Sequence, residues 1–280
     1  MRRETLIAFL TQPNPFLDIR ITKPSGVMDK DRPYISTATE WKLTFAYIKH
    51  TFGFLLYKEF DFPDLFTDLS DTQKIVFDED TFRRLVTQWN INIVGTALRV
   101  VTKALAHVPE FPKLCLASGS SGLSNNEIGE PDFAVLPAEA PAAGEQQKHT
   151  CLAPGVAKVT RRLYNSSFPV DDVSNIWAKK YLAEMSHHAN TRGSRYCWCI
   201  TPVQLMVCRL RASDTQGQIT PEVATFSWVP GPHGGISVNL ALFFVVLAAG
   251  LGNDVRCTYK HISIEHREKL KKIKAAVQAL

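Results

Sequence analysis

Two short apolar segments constrain the fold of this chain most strongly. Residues 130–135 read Glu-Pro-Asp-Phe-Ala-Val and residues 154–159 read Pro-Gly-Val-Ala-Lys-Val. Both have strand composition, and side chains two apart on a strand share a face. Glu130 therefore faces the same way as Asp132, and Lys158 the same way as Val156. A strand at 113–117 precedes them. A helix-like stretch follows, and then a further apolar strand. The predicted order is helix, three strands, helix, then more strands. Tight strand-to-strand loops combined with a helical crossover require a mixed sheet rather than a doubly wound parallel one.

The remaining elements are placed around that unit. Residues 1–35 are loop-rich, with Pro13, Pro15, Pro24 and Pro33. Apolar residues at helical intervals predict a helix over 40–57, and a second over 81–107 capped by Asp78 or Asp80 and stopped by Pro109 and Pro112. Gly95 weakens the second helix locally. Residues 118–129 lack the Walker pattern of a phosphate-binding loop and read as a flexible turn region. Residues 137–147, rich in Ala, Pro and Glu, read as a surface loop. A helix starting at Asp171 or Ser174 runs to about 190. Strands at 196–200 and 204–210 join at Thr201-Pro202, and another is expected at 225–229. An apolar helix at 237–251 and a basic helix at 264–280 complete the chain. With 280 residues, 45% of them hydrophobic, one sizeable core is expected. The expectation is a single domain over 1–280: an N-terminal helical extension (1–80), a core (81–250) and a C-terminal basic helix (251–280).

Bulk properties narrow the setting. The six cysteines are scattered without a CxxC pair, which favours buried free thiols and a reducing compartment, either cytoplasm or nucleus. The apolar run at 6–10 is broken by Gln12, Pro13 and Asn14 and is too short for a signal peptide. The uninterrupted apolar stretch 240–252 has 13 residues, short of the roughly 18 that suggest a spanning helix. A buried core helix, with no stable membrane insertion, is expected. The net charge of +5 is compatible with a nucleic-acid partner.

If the two opening strands pair, Asp132 and Lys158 converge at the sheet end. An acid there can hold magnesium, whose shell is completed by water and phosphate. A lysine there can orient water or stabilise charge on a phosphate, so the pair suits metal-assisted phosphodiester hydrolysis. Spacing alone equally fits an edge acid and a surface lysine with no shared role. Arg161, Arg162, Lys179 and Lys180 can contact phosphates or form a solvated face. His187-His188 reads as the end of a helix, favourable at its negative pole.

Residues from about 113 to 250 also resemble a group of fungal proteins with a PD-(D/E)xK, restriction-endonuclease-like domain. That group shows a Pro-Asp strand, then Pro-Gly-Asp-x-Lys, a helix, and Arg-Tyr-Gly-Phe-Ile-Leu-Thr. This chain has Pro131-Asp132, Pro154-Gly155-Val156-Ala157-Lys158 and Arg195-Tyr196-Cys197-Trp198-Cys199-Ile200-Thr201. The resemblance implies a restriction-endonuclease-like mixed sheet flanked by helices and magnesium-dependent hydrolysis of nucleic acid. It also implies that Asp132 is a metal ligand and that Lys158 is catalytic. The chain departs from the pattern at Val156, where a second metal-binding acid is implied. Glu130, on the face of Asp132, is the first candidate to replace it in catalysis and metal binding. Glu184, Asp171 and Asp172 follow. The resemblance further implies a polar or acidic residue from the preceding helix, where Gln88, Asn90 and Asn92 stand. Two functions are therefore expected: a metal-dependent nuclease, or a catalytically inactive nuclease-fold protein that binds nucleic acid or another partner. Val156 favours the second.

Overall fold

A computed structural model describes residues 1–22, 35, 38–65, 69–118, 131–138, 151–160, 176–212, 219–229, 235–252 and 264–280. Glu130, most of the loops at 118–129 and 137–147, Arg161, Arg162, Asp171, Asp172 and Ser174 lie outside the described residues.

The N-terminal stretch is more structured than its prolines suggest. Strand β1 (Arg2–Thr5) leads into a short helix, α1 (Leu6–Leu10), whose first turn is capped by the Thr5 hydroxyl accepting from the Ala8 amide at 3.3 Å. Leu6, Phe9 and Leu10 are buried. Five residues carry too little periodicity to read as a helix, and so short a helix depends on tertiary packing for its stability. Two short strands follow, β2 (Asp18–Ile19) and β3 (Thr39–Glu40), and then α2 (Phe45–Leu56). The expected helix from residue 40 starts late because the Thr44 hydroxyl caps it, accepting from the Tyr47 amide at 3.2 Å. β4 (Glu59–Phe62) pairs antiparallel with β1, and Phe9 stacks on Phe62 with ring centroids 4.0 Å apart. β5 (Ile75–Val76) pairs parallel with β2.

Asp78 caps α3 (Glu79–Val86) in a reciprocal capping box with Thr81, so the helix begins two residues before the predicted start. A π turn at Thr87–Ile91 joins it to α4 (Asn92–Ala104). The turn carries the buried Asn90, whose amide donates to Asn14 at 3.0 Å and to Asn239 at 2.7 Å. Periodicity alone predicts a regular helix here. The wider turn accompanies a polar contact that ties three distant segments together.

The large sheet is built from β6 (Leu114–Ser118), β7 (Phe133–Pro137), β8 (Ala153–Ala157), β9 (Tyr196–Ile200), β10 (Gln204–Ala212) and β11 (Ile219–Ser227), with β3 at its far edge. Its order is β3-β11-β10-β9-β8-β7-β6. β6, β7 and β8 form an antiparallel meander. Helix α5 (Ile176–Thr191) then crosses over to β9, which runs parallel to β8. β10 and β11 continue antiparallel, and β3 joins β11 in parallel. The sheet is mixed and flanked by helices, as expected. β11 begins earlier than the strand read at 225–229.

Alternation assigns the two faces of the sheet. Phe133, Val135, Ala153, Ala157, Trp198, Ile200 and Val207 belong to the main core, beneath α6 (Val238–Leu251). Val156, Cys197, Cys199, Met206 and Cys208 pack with Leu182 and Met185 of α5 on the other face. Both faces are covered, so β9 reads as a continuous apolar run. α6 is apolar nearly all round and buried, as predicted. Ser237 caps it, accepting from the Leu240 amide at 3.1 Å and donating to the Leu10 carbonyl at 2.7 Å. Among the described residues no helix is long and apolar enough to cross a membrane. Helix α7 (Ile264–Ala279) buries Ile273 and Val277 in the same core that holds Leu6 and Phe9. The N-terminal extension and the terminal helix thus share one core with the sheet.

Candidate functional site

Gly155, in the centre of β8, explains part of the Pro-Gly segment. The Trp198 ring of the neighbouring strand occupies the place a side chain would take: a Cβ on Gly155 would lie 2.1 Å from a ring carbon. The ring in turn stacks on Phe133, with centroids 5.1 Å apart. This close approach fixes β8 against β7 and β9 just before the charged residues emerge.

Asp132 immediately precedes β7, and continuing the register places it opposite Val156. Its Oδ2 accepts from the Ala157 amide at 2.8 Å, so the carboxylate takes over the backbone pairing where the ladder ends. Its Oδ1 accepts from Arg83 Nη1 of α3 at 3.1 Å. Arg83 also pairs with Asp80 at 2.5 Å. Lys158 follows β8, its amide donating to the Ile200 carbonyl at 2.9 Å. Its ammonium lies 3.1 Å from Glu184 of α5 and 3.5 Å from Glu79 of α3. The Lys158 and Glu184 side chains are each 11% exposed.

Asp132 and Lys158 thus emerge from adjacent strands of one sheet and engage the same helix. Glu79 and Arg83 stand one helical turn apart on α3, so they present one face. Burial by itself would lower the Lys158 pKa; the carboxylates of Glu184 and Glu79 outweigh it and hold the ammonium above the ordinary lysine value. Burial likewise works against the charged Arg83, and the hydrogen bond to Asp132 together with the charges of Asp132, Asp80 and Glu79 outweighs it and raises its pKa. Beside them, burial pushes the Tyr181 hydroxyl up to about 12 and the Cys199 thiol well above its usual range.

Lys158 is therefore no surface lysine. Val156, 2% exposed, is packed in the cluster with Leu182 and Met185, where an acid would have no water. Of the acids weighed to replace it, Glu184 lies among the described residues and contacts Lys158. The helix preceding the strands contributes Glu79, not Gln88, Asn90 or Asn92. Sequence reasoning passed over Glu79 and Arg83. Their one signal is position: Glu79 follows the Asp78 cap, and Arg83 comes four residues later on the same face. Cys151, Cys197, Cys199 and Cys208 are buried and free, as expected, whereas Cys115 is free but exposed, and His188 lies in the last turn of α5.

Among the described residues, the ion pairs here join four carboxylates (Glu79, Asp80, Asp132, Glu184) and two cations (Arg83, Lys158). Their arrangement does not match a magnesium site. Both Asp132 oxygens are engaged by the chain's own donors. Among the described residues, no group of three His, Cys, Asp or Glu side chains is placed to hold a metal ion. Comparison with known protein families, curated proteins and solved structures finds no match for this chain.

Proposed function

We propose that this chain is a PD-(D/E)xK nuclease-like protein that binds nucleic acid without hydrolysing it. The observation that carries this reading is the internal pairing of the motif residues. Asp132 is held by Arg83 and the Ala157 amide, and Lys158 by Glu184 and Glu79, so the retained acid and lysine fasten the sheet end to α3 and α5. Val156 seals the position of the second acid. The order of the motif segments supports the nuclease-like scaffold: Pro131-Asp132 opens β7, Pro154 to Lys158 forms and leaves β8, and the Arg195 segment forms β9 beside it after one helix.

A second reading, magnesium-dependent phosphodiester hydrolysis with Glu184 as the replacement acid, is favoured by two features. Glu184 touches Lys158, and among the described residues the cluster's carboxylates outnumber its cations.

The test measures binding and magnesium-dependent cleavage of single- and double-stranded DNA and RNA by the native chain. Binding without cleavage is expected. Cleavage that is lost in a folded Glu184→Gln variant would overturn this reading in favour of the second. Val156→Asp puts a carboxylate opposite Asp132 in a dry cluster. It should cost about 3 kcal/mol of stability in the absence of metal.

A further inference from the structure

Among the described residues of the candidate site four carboxylates face two cations, an unfavourable balance for a polyanion, so a basic surface elsewhere suits one better. We propose that the groove between α2 and α7 is a binding site for single-stranded nucleic acid. The groove encloses roughly 960 Å³ and is walled by both helices. Lys49 and His50 line it from α2, and Arg267, Lys271 and Lys274 from α7. All five are exposed, and no carboxylate is among the lining residues. Lys271 shares its charge with Glu268 at 2.6 Å, while Lys49 lies over the Tyr57 ring at 5.5 Å. Tyr57, 49% exposed, stands at the end of the groove, and Tyr47 and Phe54 contribute partly buried rings to its wall.

Basic side chains along two walls, with aromatic rings on the α2 wall, suit an unpaired polynucleotide. The cations follow phosphates, and a ring stacks on an unpaired base. A duplex offers its base faces to no ring. An anionic lipid surface is flat, and it would leave the partly buried Tyr47 and Phe54 rings unused. The groove holds together because Ile273 and Val277 anchor α7 in the core, which leaves the basic face of that helix turned toward α2.

This inference rests on the reading that the partner is nucleic acid. The test uses fluorescence anisotropy of labelled single-stranded DNA and RNA, with duplexes and anionic phospholipid vesicles as separate arms. The native chain should bind the single strands most tightly. Lys49→Glu/Arg267→Glu/Lys274→Glu should abolish most binding and reduce the slope of log affinity against log salt by about 2, at roughly 0.7 per lost phosphate contact. Tyr57→Ala should weaken binding about tenfold with the slope unchanged, because stacking releases no counterions. Charge reversal at Lys42 and Lys103, which do not line the groove, should have little effect. Circular dichroism confirms that each variant folds. Binding that survives the triple substitution would overturn the groove and leave the broader reading standing. Failure of the native chain to bind any nucleic acid would overturn both. Preferential binding of vesicles would assign the groove to a lipid surface instead.

Discussion

Lys158→Met removes an ammonium that contacts both Glu184 and Glu79. At 3.1 Å and an effective dielectric constant near 20, the Lys158–Glu184 attraction is about 5 kcal/mol before desolvation. Desolvating two nearly buried ions offsets most of that, so the pair itself contributes little net stability. The variant is different, because Glu184 keeps its burial and loses its lysine. Breaking such a pair costs about 3–5 kcal/mol. Glu79 is 31% exposed and screened by water, so its share is small. A loss near 3 kcal/mol is expected, measured by urea unfolding at pH 8. Lys158→Met/Glu184→Leu removes both charges and should recover to within about 1 kcal/mol of the native chain, giving a coupling energy of about 2 kcal/mol or more. The pH dependence follows from linkage. The folded Lys158 pKa is raised above 10.5, so its contribution is fully present below that pH and is lost as pH rises through the folded value. The deficit of Lys158→Met should therefore hold steady from neutral to about pH 10.5 and shrink above it. A single-variant loss below about 1 kcal/mol, or losses that simply add, would refute the buried-pair argument.

Gly155→Ala should destabilise by about 3 kcal/mol or more, because its Cβ would overlap the Trp198 ring. Thermal unfolding checks this, and Trp198→Leu should cost less in the alanine background than alone. Native stability should fall as pH rises from about 9, because burial raises the thiol of Cys151 from 9.0 to about 11 and Tyr181 from 10.0 to about 12. The unfolded chain then releases protons that the folded chain retains, and a pH series of urea midpoints reads the slope. Ser237→Ala removes the α6 cap and the bond to the Leu10 carbonyl, and should cost about 1–2 kcal/mol in the same assay.

Local pattern determined which segments become helices or strands. The apolar run of β9, the all-round apolar character of α6, the Asp78 cap and the two-residue spacing in β8 are written within a few neighbouring residues. Each depends on backbone geometry with a short repeat. Where the pattern was too short, as in α1, or where a distant partner intervened, as at the Asn90 π turn, the sequence alone was insufficient. The candidate site divides in the same way. Asp132 and Lys158 were legible because spacing and a resemblance pointed to them. Their partners were not: Arg83 lies 49 residues from Asp132 and Glu79 lies 79 residues from Lys158. Tertiary packing brought α3 and α5 to the end of β7 and β8. That packing decided that Val156 is sealed, that Glu184 and Glu79 are acids beside the lysine, and that Arg83 is paired with Asp132. A contact between side chains so far apart in the chain leaves no local periodicity, because it is set by how whole elements bury their apolar faces.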